Sequence, residues 1–231
     1  MFININPVSS RMINPPYDIT AHEYQLRFPQ TEDLVRKLSS EDRIQKYLIK
    51  LGKHHPPTLE HSLRVGLLCV DVAIEEGFKE KDIRLIGYAG LLHDVGKSQI
   101  PLKILNKEGT LTSREREVMN NHPVAGFEDI KGFGNNIRII VIGHHEYQIY
   151  SYPRNIGERR KEPGRKNKDK DRRSSDPQLE RLTQILAGAD LYDALRHPRS
   201  YKPAIEKEQT RILMIEHYCG DPKYIGQLIT R

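Results

Sequence analysis

From residue 31 onward, apolar side chains recur every three or four positions, the period of one buried helix face. Thr31 reads as an N-cap ahead of Leu34, Val35 and Leu38. Ser40-Glu41-Asp42 reads as a second cap ahead of Ile44, Leu48 and Leu51, with Gly52 as the stop. A third helix is expected from Pro57-Thr58 through Leu59, Leu63, Leu67 and Val70 to Gly77. A fourth runs from Glu80 through Ile83, Ile86 and Leu91 to His93-Asp94 and ends at Gly96, and 101–109 reads as a loop or short turn. Thr112-Ser113-Arg114-Glu115 has the form of a cap with an acidic first turn, and its helix is expected to continue past His122 despite Pro123. Further helices are placed at 135–145, 177–196, 202–218 and 222–229.

No two-residue alternation is long enough for a strand, so the expected class is all-α, a bundle of about eight or nine helices. Residues 31–231 read as one domain, and 1–30, with Pro7, Pro15, Pro16 and Pro29, as an irregular lead-in. The net charge of +6 invites a nucleic-acid reading, but ten Lys or Arg and five Asp or Glu fall within 154–176. That stretch contains Gly157, Pro163 and Gly164 and almost no large apolar residue, so it reads as a basic flexible insertion. Without interleaved aromatics to stack bases it does not point to a nucleic acid polymer. No apolar run approaches the ~20 residues of a membrane span, and no secretory signal is visible. With only Cys69 and Cys219 there is no disulfide framework, and a cytoplasmic location is expected.

The chemistry lies in the histidines and aspartates that interrupt apolar faces. Of ten histidines, His61, His93, His122, His144 and His145 fall inside patterned segments. Asp94 directly follows His93, and Asp190 follows the apolar run 185–189. Singly, each would read as a satisfied core histidine or a buried ion pair, since an unpaired buried charge costs several kcal/mol. Together they form a set of imidazoles and carboxylates without thiolates, which suits first-row divalent metals. An adjacent His-Asp lets one carboxylate bridge two ions, and two ions about 3.5–4 Å apart clamp a phosphoryl oxygen.

Residues 92–101, Leu92-His93-Asp94-Val95-Gly96-Lys97-Ser98-Gln99-Ile100-Pro101, resemble the signature of HD-domain phosphohydrolases, in particular the HD-GYP branch. The resemblance continues through 104–111, Glu117, His122-Pro123, Gly126, His144-His145-Glu146, 190–195 and 199–203, and covers roughly residues 57 to 229. It implies an HD-domain helical bundle and a phosphodiesterase that opens a cyclic dinucleotide, cyclic di-GMP or a relative, by attack of a metal-bridging hydroxide. It implies that His61, His93, Asp94 and Asp190 hold one metal and that His122, His144 and His145 hold a second, with Asp94 bridging. The cofactors would be two divalent ions, iron, manganese or another first-row metal. Asp94 and Lys97 would be catalytic, Lys97 taking a phosphate oxygen. Arg199 and Lys202, nine and twelve residues after Asp190, would clamp the substrate phosphate, or else be solvated surface charges. Asp193 would orient a histidine ligand or be a helix-surface charge. A signalling-protein partner or a homodimer is compatible with the resemblance.

Two positions depart from the pattern. Family members with three metals carry an acidic residue four positions before the first histidine; here Pro57 stands there, and Glu60 would point about 100° away from His61. Two metals are therefore expected. The second departure is in the motif that names the branch, in which His-His-Glu is followed by two residues, then Asp-Gly, one residue and Gly-Tyr-Pro. Here Glu146 leads to Tyr147-Gln148-Ile149-Tyr150-Ser151-Tyr152-Pro153. Tyr152-Pro153 survives, with Tyr152 as a substrate contact, but Ser151 replaces glycine and Asp-Gly is absent. The metal ligands are untouched by this change, whereas the substrate is opened to alternatives. One is another nucleotide or phosphate ester, and another is a non-catalytic nucleotide-binding signalling module.

Overall fold

The computed structural model describes residues 24–149, 176–197 and 205–231. Among them are eleven α-helical segments: α1 (Gln30–Ser39), α2 (Asp42–His54), α3 (Pro56–Glu75), α4 (Glu80–Leu92), α5 (Leu102–Leu105), α6 (Ser113–Asn120), α7 (His122–Asp129), α8 (Asn135–Ile142), α9 (Pro177–Arg196), α10 (Lys207–His217) and α11 (Lys223–Ile229). A short 3-10 helix, Val95–Gln99, follows α4. The class is all-α, and the described residues form no strand beyond a single antiparallel bridge between Gln148 and Tyr218.

The bundle is organised around α3. Fourteen of its twenty residues are buried, so it is apolar nearly all round and sits at the centre rather than on a face. It packs on α4 and α9, and α4 in turn meets α8. Leu67, Leu68, Leu91, Leu92, Leu186 and their neighbours form one continuous core. Truncating Leu67 to alanine there is expected to cost about 2–5 kcal/mol. The contact of α3 with α4 is close because both carry glycine at the crossing: a Cβ on Gly90 would lie 2.9 Å from the Gly66 Cα. Gly96 does the same for the turn after α4, where a Cβ would overlap the carbonyl oxygen of His122. This close approach brings the His93-Asp94 dipeptide against the start of α7.

The periodicity located nearly every helix, and the differences have physical causes. The expected cap at Thr112 is present as a capping box, its Oγ1 accepting from the Glu115 N–H at 3.3 Å while the Glu115 carboxylate accepts from the Thr112 N–H at 2.8 Å. Thr31, in contrast, is not a cap. It lies inside α1, and its hydroxyl donates to Asp71 Oδ1 at 2.9 Å. Asp71 is a carboxylate buried in the middle of α3 and also accepts from the N–H groups of Arg27 and Phe28 and from Arg231 Nε. The need to satisfy this buried charge outweighs a local cap. Gly52 does not end α2, which runs to His54 and breaks ahead of Pro56-Pro57. The helix expected to pass through His122 divides at Asn121, since Pro123 has no N–H for an interior helical bond. That division and the single turn α5 account for the two segments beyond the expected nine.

Most of the expected lead-in and nearly all of the basic insertion 154–176 lie outside the described residues, as do Tyr152, Arg199 and Lys202. Where the lead-in is described, at 24–29, it is irregular but packed, with Tyr24 buried in the core. Among the described residues no helix is long and apolar enough to cross a membrane.

Candidate metal centre

Five elements supply the site. His61 projects from the second turn of α3, His93 and Asp94 directly follow α4, and Asp190 lies on α9. His122 begins α7, and His144 and His145 follow the last turn of α8. The seven residues expected as ligands are thus brought together, from positions as far apart as 61 and 190. Two triads can each hold an ion: His61, His93 and Asp94, and His122, His144 and His145, the ligand atoms of each lying within 4.8 Å of one another. Asp94 lies between them. Its Oδ2 is 3.4 Å from His93 Nε2 and 3.7 Å from His61 Nε2, while its Oδ1 is 3.3 Å from His122 Nε2. Asp190 closes the first triad, with Oδ1 3.0 Å from His61 Nε2 and 3.8 Å from His93 Nε2.

Hydrogen bonds on the far side of each ring decide which nitrogen faces inward. Nδ1–H of His93, His122 and His144 donates to the carbonyl three residues back, of Gly90 at 2.8 Å, Met119 at 2.8 Å and Val141 at 2.6 Å. His61 Nδ1–H donates to Asp193 Oδ2 at 2.6 Å, and His145 Nδ1–H to Gln148 Oε1 at 2.9 Å. In the neutral form with its hydrogen on Nδ1, each ring presents an Nε2 lone pair to the centre. These lone pairs confront one another at 3.3 Å (His61 and His93), 3.2 Å (His122 and His144) and 3.3 Å (His122 and His145). Such an arrangement is repulsive without a cation between the rings. Metal–nitrogen bonds of about 2.0–2.1 Å bring neighbouring ligand nitrogens to about this separation. Asp94 Oδ1 is also buried without a hydrogen-bond partner, another atom that a cation would satisfy. The residues present fit a pair of divalent ions.

The protonation states agree. Burial, reinforced by Lys97, lowers His122 to about 3; burial also lowers His144 and His145. His93 runs the other way: burial lowers it, but Asp94 and Asp190 raise it further. Burial alone would raise Asp94 and Asp190, yet the Lys97 charge and His93 hold Asp94, and His61 and His145 hold Asp190, well below the usual carboxylate range. The site therefore offers ionised carboxylates and mainly neutral imidazoles, the forms that bind metal.

Lys97 Nζ stands 2.6 Å from Asp94 Oδ2. Asp193 is no surface charge: it is buried, and besides His61 it accepts from Arg64 Nε at 2.7 Å, from the Tyr24 hydroxyl at 2.7 Å, and lies 3.2 Å from His197 Nδ1. A cavity of about 530 Å³ opens beside the metal centre, with Thr58, Lys97, Lys107, Arg116 and Leu191 in its wall. Pro57 and Glu60 line it too, so Glu60, expected to turn away from His61, still faces this space. The sequence does not single out Arg64, His197, Tyr24 or Gln148 as parts of the site. Arg64 carried a usable signal, lying one helical turn after His61; Tyr24 and Gln148 carried none.

A family model for the HD domain matches residues 58–195. The chain is 35% identical over 139 residues to the cyclic di-GMP phosphodiesterase response regulator RpfG of Xanthomonas campestris, which is 58% of this chain and 32% of that protein. It is 33% identical over 150 residues to a cyclic di-GMP phosphodiesterase of Thermotoga maritima, 63% of this chain and 36% of that one. It is also 32% identical over 156 residues to the 3'3'-cGAMP-specific phosphodiesterase 2 of Vibrio cholerae, 65% of this chain and 26% of that one. The chain spans no more than 36% of the length of these curated relatives. Among solved structures, Bd1817, an HDG"Y"P protein from Bdellovibrio bacteriovorus, shares the fold with a TM-score of 0.56 at 19% identity, covering 86% of this chain and 61% of that one.

Proposed function

Because the chain belongs to the HD-domain family, we propose that it is a metal-dependent phosphodiesterase that hydrolyses a cyclic dinucleotide, cyclic di-GMP or a relative. The observation that carries this reading is Asp94, whose two oxygens face two separate ligand triads. His61, His93, Asp94 and Asp190 would hold one ion, and His122, His144, His145 and the other oxygen of Asp94 a second. Two first-row ions such as iron or manganese, when bound, supply an activated water and neutralise charge on a phosphoryl oxygen.

The remaining work falls to the protein. Lys97 lies at the cavity wall beside Asp94, where its ammonium can take a phosphate oxygen and stabilise charge that builds on it. Arg199 is assigned a bidentate grip on the substrate phosphate and Lys202 a point-charge contact, on their spacing after Asp190. Tyr152 is assigned a substrate contact. The cavity volume of about 530 Å³ falls among small-molecule sites, which run about 300–1,000 Å³. The relatives named for cyclic di-GMP and 3'3'-cGAMP support this substrate class.

One observation favours a second reading, hydrolysis of another nucleotide or phosphate ester: Asp-Gly is missing after Glu146, and Ser151 stands where glycine is expected. The test is turnover of cyclic di-GMP, 3'3'-cGAMP and a generic phosphodiester by protein loaded with manganese(II) or iron(II). Cleavage of a cyclic dinucleotide is the expected result. Cleavage of the generic ester alone selects the second reading. Metal-loaded protein that turns over none of the three is not an enzyme of this class.

A further inference from the structure

We propose that Gln148 is a positioning residue that couples the two halves of the metal centre, an inference that rests on the metal-dependent reading above. Its Nε2–H donates to Asp190 Oδ2 at 2.9 Å, and the Ala187 carbonyl, which can only accept, lies 3.5 Å from the same nitrogen. The carbonyl Oε1 then faces His145 Nδ1 at 2.9 Å, and that nitrogen must carry a hydrogen. In the neutral ring His145 Nε2 then carries no hydrogen, and it is directed at His122 Nε2, 3.3 Å away in the imidazole triad. One neutral side chain selects the tautomer of a ligand in one triad and holds the carboxylate that closes the other.

The support beneath Gln148 is itself built. Its backbone forms the antiparallel bridge with Tyr218, and the flanking residues add two hydrogen bonds: Ile149 N–H to the His217 carbonyl at 3.0 Å and Cys219 N–H to the Tyr147 carbonyl at 2.7 Å. Residues 217–219 lie beyond the stretch 58–195 that matches the HD domain. Gln148 also stands in the stretch where the sequence leaves the Asp-Gly and Gly-Tyr-Pro pattern. The segment after α10 thus takes part in the metal centre through this amide.

Gln148→Met keeps the length of the side chain and removes both donor and acceptor. Manganese(II) affinity, read by competition with a chelator, is expected to weaken about 10–100-fold, the range for partners that orient metal ligands. The metal-free variant is expected to melt with the wild type. Wild-type manganese affinity in Gln148→Met overturns the proposal, whether or not its melting temperature falls, because the role would then be structural alone. Gln148→Asn covers the case in which the methionine variant does not fold. It keeps the amide but is one methylene too short to span both partners, so weakened affinity supports the span and wild-type affinity overturns it. A wild-type protein that binds no manganese defeats the metal reading itself, a result distinct from a variant that matches a metal-binding wild type.

Discussion

The two candidate triads offer similar ligand atoms on different supports. His122 and His144 are oriented by carbonyls three residues back and His145 by a neutral amide three residues on, so the contacts behind the rings of that half are short-range and it carries no charge beyond Asp94. The half around His61 is long-range and charged. Asp193 holds His61 and is itself held by Arg64, Tyr24 and His197, drawing on α3, α9 and the segment ahead of α1. The rings of the first half find their acceptors within three residues, whereas His61 finds its own only when distant parts of the chain have packed. The two should therefore fail differently.

Asp94→Ala is expected to have the largest effect, since both halves share this carboxylate. Neither ion should be retained and turnover should vanish, which metal analysis and the cyclic-dinucleotide assay would read. A variant that keeps one ion would show that the halves are independent. Asp193→Asn should act on the charged half alone, weakening one ion by about 10–100-fold while the other stays. Stepwise manganese titration separates the two, and equal loss of both would remove the distinction between the halves.

Acid should act mainly through the imidazole half of the metal-free protein. His122, His144 and His145 are lowered in the fold, so between their folded values and the unfolded value of about 6.5 the unfolded chain binds more protons. Their contribution is present above that value and lost as pH falls. His93, raised in the fold, contributes in the opposite sense, its share being full below about 6.5 and lost as pH rises through its folded value. His55, also lowered by burial, adds to these three, and four groups against one predict a melting temperature that falls from pH 7 toward pH 5; thermal melts that rise over this window would contradict the assignment. Tyr24→Phe should have the smallest effect, because Arg64 and His197 still hold Asp193. Loss of one hydrogen bond to a carboxylate is expected to cost about 1.5 kcal/mol in stability, with less than about a tenfold change in metal affinity.

Much of this centre was legible before folding. Histidine and aspartate are costly on apolar helix faces, so their presence at 61, 93, 94, 122, 144, 145 and 190 marked them as a set, and the resemblance ordered that set into two metals. The capping box at Thr112 was equally legible, because a cap is satisfied within four residues. The cap expected at Thr31 was not found, since Asp71, forty positions away, claimed its hydroxyl. The division at Asn121 was half legible: Pro123 was visible, and the break it causes was underestimated.

The sequence by itself determined the helical class, most helix positions and the set of candidate metal ligands, all of which follow from local periodicity and from the chemistry of each residue type. Only the tertiary structure decided which nitrogen each histidine turns inward, because that depends on the acceptor behind the ring. For His61 and His145 the acceptor is a side chain fixed by packing rather than a carbonyl of the same turn. Asp193 could be a surface charge or an anchor until α3 and α9 met, and Tyr24 and Gln148 had no role until the ends of the described chain closed over the core. A buried polar group takes whatever partner the fold brings within about 3 Å, and that partner cannot be read from position along the chain.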